Sequence, residues 1–269
     1  MKTLRIVALV VLGAVAASGA LAGLIAPASY AEQFRDAVSA PPSAKFPLGT
    51  DELGRDRLSR LLYGTRVSLL LAPAAALLST LLAALLGGLA GYLGGRSERA
   101  VAAAADLFLS LPWLFLLLAA RAMLPLNVGA PVSVLVTFLL LGVLGWAAPA
   151  RIVRAGARGF ADSEFVLQAR AGGIGGWRLF RAHVIPNLKP VLAAQFWISV
   201  PVFILSEANL GLLGLGVSEP VPSLGGMLRE LENYTALWGK PWMLAPVLVV
   251  LLVVVCFQIV LRTEDRVPC

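Results

Sequence analysis

The sequence has little charge, few cysteines and almost no histidine, and each shortage excludes a class of protein. Only 14% of its 269 residues are charged, whereas a soluble domain carries roughly a quarter. The two cysteines, Cys256 in an apolar run and Cys269 at the last position, exclude a disulfide framework and have no metal-ligand neighbours. His183 is the only histidine, with no nearby nucleophile or spaced carboxylate pair, which argues against catalysis.

An ATP-binding motif is also missing from the sequence. The glycines Gly211, Gly214 and Gly216 do not follow a strand pattern, and no Gly-Lys-Ser/Thr comes after them. We interpret them as a turn region in a loop. The sequence therefore predicts a chain that does not hydrolyse ATP by itself and holds no cofactor or metal.

Long uncharged runs dominate what is present, since 59% of the residues are hydrophobic. Such runs are typical of an integral membrane protein, because about 20 apolar residues span the hydrocarbon core as a helix. The sequence predicts an all-α membrane protein with six transmembrane helices. The predicted spans cover residues 6–26, 67–95, 104–123, 131–150, 190–206 and 241–261.

The net charge of +7 is better explained by topology than by nucleic acid. Arginine and lysine concentrate in cytoplasmic loops, and no basic groove interleaved with aromatics is present, so we expect no nucleic-acid partner. The most basic segment, 151–190, is then cytoplasmic, as are both termini. Segments 27–66, 124–130 and 207–240 are outside, although 27–66 itself holds six basic residues.

The first apolar run has a second interpretation. Its basic start, apolar middle and small residues at Ser29–Ala31 also describe a secretory signal peptide cleaved before Glu32. We favour a retained span, because the uncharged run is longer than the 7–15 residues typical of a signal peptide.

The segment 151–190 predicts two short helices around a glycine-rich elbow. Asp162 or Ser163 can cap the first helix and Gly172-Gly173 can end it. A second helix would place Trp177, Phe180 and Val184 on one face until Pro186 stops it, with Pro190 opening the next span. Pattern alone leaves two interpretations open: an interfacial hairpin, or an element that docks on a cytoplasmic partner.

Three stretches resemble one protein family. The order of residues from Glu164 to Gly173, and then from Phe180 to Asn187, resembles the cytoplasmic "EAA" loop of binding-protein-dependent ABC importer permeases. Residues 47–69 and 204–228 are similar to segments of the peptide/nickel importers, in permeases of the dipeptide and oligopeptide C-subunit type. The resemblance covers nearly the whole chain, in the right order.

The resemblance implies a type I ABC importer permease fold with a cytoplasmic two-helix coupling loop in the bacterial inner membrane. It implies a second homologous permease subunit, two cytoplasmic ATPase subunits that bind ATP and Mg, an extracytoplasmic solute-binding protein and surrounding membrane lipid. The solute would be a di- or oligopeptide or a related small solute. The implied coupling-loop residues are Glu164, Phe165, Ala169, Arg170, Gly173, Phe180, Arg181, His183 and Pro186.

The loop also departs from the family pattern. Leu167 stands where the family has its name-giving glutamate, Gln168 replaces an alanine, and Gly172 replaces a leucine, while Gly173 is kept. The missing carboxylate removes a polar contact, so we expect docking to depend on apolar packing.

Three smaller features complete the predictions. Gly87, Gly91 and Gly95 recur every fourth residue, which favours a close helix contact, most simply within the chain. Glu207 and Asp106 near span ends are either hydrated interfacial acids or part of a translocation path.

The predicted organisation has three parts. Residues 1–65 are an N-terminal span with an extracytoplasmic segment, 66–262 a permease domain, and 263–269 a cytoplasmic tail. The competing class is a stand-alone secondary transporter, which repeats and mid-span charges would favour; neither is visible here. A non-transport membrane anchor is a third alternative.

Overall fold

The computed structural model describes residues 2–124, 128–232 and 240–262. Throughout these ranges the regular structure is helical and no strand occurs. Five helices are long and apolar enough to cross a membrane, and a bent pair makes up to six. This confirms the predicted all-α class. The principal helices are α1 Lys2–Ala20, α2 Arg57–Leu93, α3 Gly95–Ser110, α4 Trp113–Ala122, α5 Ala130–Ala161, α6 Glu164–Ala171, α7 Gly176–Leu212, α8 Leu224–Arg229 and α9 Pro241–Arg262.

The helices divide between two compact units. The first unit contains Met1–Ala72, Arg121–Phe138 and Pro201–Cys269, and the second contains Pro73–Ala120 and Leu139–Val200. In the first unit, α1 packs against α9. In the second unit, one apolar core surrounds Trp146, Val153 and Phe180.

Two helices extend well beyond the predicted spans. Helix α2 begins at Arg57 rather than 67, because the carboxylate of Asp56 accepts bonds from the backbone N–H and hydroxyl of Ser59 and so caps the helix. Helix α5 continues to Ala161 instead of ending at residue 150. Arg66 and Arg151, the charged residues next to the predicted spans 67–95 and 131–150, therefore lie inside helices.

The predicted third span, 104–123, is not one straight helix. Helices α3 and α4 meet at an angle of 90°. The break falls at Leu111, which is extended (φ −89°, ψ 135°), because the residue before a proline is pushed out of the helical region by the proline ring. Pro112 then begins the turn into α4.

The prediction that Pro186 stops a helix is wrong. Helix α7 continues from Gly176 to Leu212, and both Pro186 and Pro190 lie within it. A π turn covers Phe180–Val184 and ends two residues before Pro186. A proline inside a helix has no N–H to donate, and its ring crowds the preceding turn. A π turn at this place shifts the hydrogen-bond register of the backbone, which lets the helix continue past the proline.

Candidate functional site

The basic loop (residues 162–184) begins with helix α6, as the sequence predicted. Ser163 is extended at the N-cap, but its hydroxyl donates to the Phe160 carbonyl instead of accepting from the helix. The helix ends where Gly173 adopts φ +80°. Its N–H bonds the Arg170 carbonyl and the next N–H bonds the Ala169 carbonyl, which is a glycine-dependent helix end.

Aromatic packing fixes the second half of the basic loop. Phe180 is 1% exposed, with its ring centroid 5.5 Å from those of both Tyr92 and Trp177. The Tyr92 hydroxyl donates to the Gly176 carbonyl at 3.2 Å, and the Arg170 guanidinium lies 5.6 Å from the Tyr92 ring centre. Tyr92 thus anchors both halves of the loop to the end of α2.

The predicted apolar face of Trp177, Phe180 and Val184 is divided in the structure. Phe180 and Val184 are buried in the second unit's core, whereas Trp177 is 58% exposed. The large apolar side chains that remain exposed are Phe165, Leu167 and Trp177. Trp177 lies in the first turn of α7, where its ring contacts Phe180 at a centroid distance of 5.5 Å but stays mostly uncovered.

The other predicted loop residues are mostly at the surface. His183 and Ala169 are half-buried, and the His183 carbonyl accepts a bond from the Asn187 side chain at 2.6 Å. The exposed ones are Glu164, Phe165, Arg170, Gly173, Arg181 and Pro186.

Two glycines bring α2 and α5 into backbone contact. A Cβ at Gly87 would overlap the Ala150 carbonyl, and one at Gly91 would overlap the Arg154 carbonyl. This is the close approach within the chain that the spacing predicted. Gly95 does not take part, because it is the first residue of α3, with φ +62° and no neighbour near its Cβ position.

Three arginines in the last turns of α5, before the basic loop, are paired with acids of the second unit. Glu98, with 12% of its side chain exposed, accepts bonds from Arg154 at 3.1 Å and from Arg158. Arg151 lies 3.7 Å from Asp106, and the Asp106 side chain is 62% exposed. The exposure of Asp106 agrees with a hydrated acid, and its role in a path stays a prediction.

In the first unit, acids hold the clasped segment (residues 213–232) to the start of α2. The Glu219 carboxylate accepts from Arg55 Nη1 at 2.6 Å and from Arg60 Nη2 at 2.9 Å. Both arginine side chains are under a tenth exposed, whereas that of Glu219 is 60% exposed. Asp51 completes the cluster by accepting from Arg55 Nε at 2.7 Å.

These bonds change the acid–base properties of the cluster. Burial alone lowers the pKa of Arg55, but the bonds from Glu219 and Asp51 outweigh it and raise that pKa above its ordinary value. Arg55 is therefore charged at any physiological pH.

A second ion pair holds the other end of the clasped segment. Arg57 Nη1 donates to Glu230 at 2.5 Å, and Arg57 Nε donates to the Thr50 carbonyl at 3.1 Å. Burial raises the pKa of Glu230, and the charges of Arg57 and Arg60 only partly offset it. Between the two ion pairs lies a cleft of about 510 Å³ lined by charged residues of both signs.

Glu207 is enclosed by the chain rather than placed at a wet interface. It is 0% exposed and lies inside α7, since the helix continues to Leu212. Its carboxylate accepts from the Ser68 hydroxyl at 3.2 Å and the Gly225 N–H at 3.3 Å. The interpretation of a hydrated interfacial acid is therefore wrong; a role in the path stays a prediction.

The glycines after Glu207 do more than form a loop turn. Gly211 lies in the last turn of α7, where a Cβ would overlap the backbone of Gly225. Only Gly214, at φ +72°, is the left-handed turn residue that the sequence predicted.

A buried arginine supports the start of the clasped segment. Arg121 is 1% exposed, and it donates to the Leu215 carbonyl at 3.1 Å and to the Ser133 hydroxyl at 3.3 Å. Ser133 in turn bonds Ser218 at 2.9 Å. Arg121 lies near the end of the predicted span 104–123, and its location within an apolar stretch is the sequence signal that it has polar partners inside the protein.

The acid–arginine cluster as a whole was missed, although the two motifs that form it, 47–69 and 204–228, were both noted. Their complementary charges were the available signal. Within the described residues, no group of three or more His, Cys, Asp or Glu could hold a metal ion.

Comparison with known proteins places the chain among transport proteins. Residues 83–266 match the family described as "Binding-protein-dependent transport system inner membrane component". The chain is 37% identical over 216 residues to the di/tripeptide transport system permease protein of Pseudomonas aeruginosa, covering 78% of this chain and 69% of the relative. It is 33% identical over 220 residues to the dipeptide transport system permease protein of Bacillus subtilis, covering 82% and 67%. It is 32% identical over 231 residues to the oligopeptide transport system permease protein of Mycobacterium tuberculosis, covering 86% and 77%.

Proposed function

The chain belongs to the family of binding-protein-dependent transport system inner membrane components, and from this premise we propose that it carries di- or oligopeptides into the cell. It is an integral inner-membrane protein and the permease subunit of an ABC importer. The proposal of peptides follows from the names of its relatives, which are permeases for dipeptides, tripeptides and oligopeptides.

The proposed working unit contains a second homologous permease subunit, two cytoplasmic ATPase subunits and an extracytoplasmic solute-binding protein. ATP and Mg would bind to the ATPase subunits, and their closure would drive alternating access of the path. This assigns the basic loop and both termini to the cytoplasm; the last residues, 263–269, lie outside the described residues.

The observation that carries the coupling proposal is the exposed apolar surface of the basic loop. Phe165, Leu167 and Trp177 are 39%, 51% and 58% exposed, although the same loop buries Val166 and Phe180. Exposed apolar groups beside buried ones on a short helical element suit insertion into a groove on a partner. We propose that this surface docks on an ATPase subunit, with Leu167 contributing packing where a carboxylate would contribute a polar bond.

The proposed contact of the binding protein is with segments 27–66 and 207–240, of which residues 233–239 lie outside the described residues. The charged cleft lined by Glu52, Arg229 and Glu232 gives this surface both signs of charge. We have no observation that favours a stand-alone transporter over this arrangement.

Co-purification tests the assembly. The tagged chain, extracted from its native membrane in mild detergent, should elute with ATPase subunits, and the liposome-reconstituted complex should take up a labelled dipeptide only with ATP. Excess unlabelled di- and tripeptides should compete, whereas nickel and sugars should not. A chain that elutes alone and transports without nucleotide would contradict the proposal.

Substitution of Gly173 tests the loop itself. Gly173→Val places a β-branched residue at φ +80°, a conformation that costs about 1–2 kcal/mol for an L-residue. The helix end should deform, so uptake should fall while membrane insertion and ATP hydrolysis remain.

Gly175→Val is the matched control for this experiment. Gly175 has φ −134° and no heavy atom near its Cβ position, so the same side chain is accommodated there. If the Gly173 variant transports as well as the control does, the basic loop has no part in coupling.

A further inference from the structure

The carboxyl group of Glu207 lies where three elements of the first unit meet. Glu207 belongs to α7, Ser68 to α2 and Gly225 to α8, and the acid accepts bonds from both other residues at 3.2 and 3.3 Å. The side chain is 0% exposed. A buried acid within a membrane-spanning helix is costly to keep, so its three-way contact calls for a functional explanation.

In the first turn of α8, the first three backbone N–H groups all have a hydrogen-bond acceptor, and Glu207 supplies one of them. The Leu224 N–H donates to the Ser68 hydroxyl at 3.4 Å, and that hydroxyl donates onward to Glu207. The Gly225 N–H donates to Glu207 directly, and the Gly226 N–H donates to the Ser223 hydroxyl at 3.0 Å. Backbone groups shielded from water need such partners, so α8 is bound to α2 and α7 by its own main chain.

Helices α7 and α8 meet without intervening side chains. A Cβ at Gly211 would overlap the Gly225 backbone, and a Cβ at Gly225 would overlap the Glu207 carbonyl. Close-packed backbone has little room to absorb a displacement. A shift of the last turns of α7 therefore has to move α8 with it or break the bonds to Glu207.

Helix α7 is also the element that begins in the basic loop. It is helical from Gly176 to Leu212 without a break, so one element carries Trp177 near its first residue and Glu207 near its last. We propose that Glu207 is a positioning residue that transmits displacement of α7 to α8 and the clasped segment during transport. This inference rests on the proposed coupling through the basic loop, and it gives Glu207 no contact with the solute.

Hydrogen exchange of the assembled complex tests the contact. Glu207→Leu removes Oε2, which accepts both bonds, at similar side-chain size, so the amides of residues 223–229 should exchange faster than in the wild type. Glu207→Gln keeps an acceptor oxygen and should exchange like the wild type. Ser68→Ala should accelerate exchange at Leu224. Its matched control is Ser79→Ala, because the Ser79 hydroxyl on the same helix is buried and has no partner in the described part of the chain.

Uptake per ATP hydrolysed tests the transmission. In liposomes containing the full complex, Glu207→Leu should lower this ratio about tenfold, a size usual for coupling between distant sites, while ATP hydrolysis persists. Glu207→Gln should restore the ratio.

Three outcomes overturn the inference. An unchanged ratio in Glu207→Leu would show that Glu207 transmits nothing. Equal loss of uptake and hydrolysis together with a lower unfolding temperature would show that the residue is merely structural. If Glu207→Gln lowers the ratio of uptake to ATP hydrolysis as much as Glu207→Leu does, the hydrogen bonds that Glu207 accepts do not carry the transmission. All three leave the proposed function intact, because that function fails only if the wild-type complex itself does not assemble or shows no ATP-dependent uptake.

Discussion

The basic loop and the clasped segment differ in the contacts that hold them to the protein, because only the clasped segment adds carboxylate–arginine pairs to its apolar packing. In the second unit, the loop is held by apolar packing of Val166, Leu179, Phe180 and Val184. In the first unit, the clasped segment combines two kinds of contact: Leu224, Met227 and Leu228 pack in an apolar cluster, and the Glu219 carboxylate is joined to both Arg55 and Arg60.

The difference in contacts determines how each region can respond when a partner subunit displaces it. Apolar packing is non-directional, so a loop held by it can tilt against its core and retain most of its stabilisation. Hydrogen bonds weaken steeply with angle, so a segment held by them keeps one geometry or detaches. The loop is suited to follow a partner, and the ion-paired part of the clasped segment around Glu219 is suited to two discrete states.

The largest effect should come from removing the main apolar contact of the loop. Phe180→Ala deletes a ring that is 1% exposed, and such deletions cost about 3–5 kcal/mol. Unfolding in mixed detergent–SDS micelles, followed by tryptophan fluorescence, measures the change.

Trp177→Ala is the control for this prediction, because that ring is 58% exposed. We expect a small change in unfolding but weaker retention of the ATPase subunits. Equal destabilisation by the two variants would remove the distinction between an attached and a docking face.

A smaller effect is expected where α2 and α5 meet behind the loop. Gly91→Ala forces a methyl group into the Arg154 carbonyl, and overpacking of this kind costs about 1–3 kcal/mol. Gly159→Ala is the control, since its Cβ would meet no atom within 4 Å and its backbone is helical. The control should be neutral or stabilising in the same unfolding measurement; a destabilised control would mean that any alanine is harmful here.

The smallest effect on stability should come from the ion pairs between Glu219 of the clasped segment and the two arginines. Glu219→Gln removes the charge that joins Arg55 and Arg60, but the Glu219 side chain is 60% exposed, so the cost should be about 1 kcal/mol or less. The difference from wild type should shrink in high salt. Glu232→Gln, on the same cleft, should change nothing. A loss as large as that for Phe180→Ala would show that both regions are held equally firmly.

The helical class and the approximate location of the spans could be predicted from the sequence, but the helix ends and the break in the third span could not. Uncharged runs locate hydrocarbon-spanning residues, because charge is costly there. They place helix ends at the first charge, which for α2 is Arg66, but the helix extends back through Arg60 to Arg57. The charges of Arg57 and Arg60 are paired with Glu230 and Glu219, more than 150 positions away in the chain. Long-range pairing of this kind leaves no local pattern.

In the candidate site, the contacts that follow from local spacing could be predicted, and those between distant residues could not. Glycine spacing gave the contact at Gly87 and Gly91, since helical periodicity alone puts both on one face. The burial of Phe180 beside the exposed Trp177 depended on which neighbours cover the first turn of α7, and helical spacing alone does not contain that information. The pairing of Ser68 with Glu207 required the folded chain.

The length of the two longest helices affects how the protein tolerates different bilayers. Helices α2 and α7 contain 37 residues each. At 1.5 Å per residue each is about 55 Å long, roughly 25 Å more than the hydrocarbon layer. A thicker or thinner bilayer therefore changes which helical turns lie at the headgroups and draws no loop into the lipid tails. We expect these two helices to absorb hydrophobic mismatch by sliding, at a modest cost per ångström.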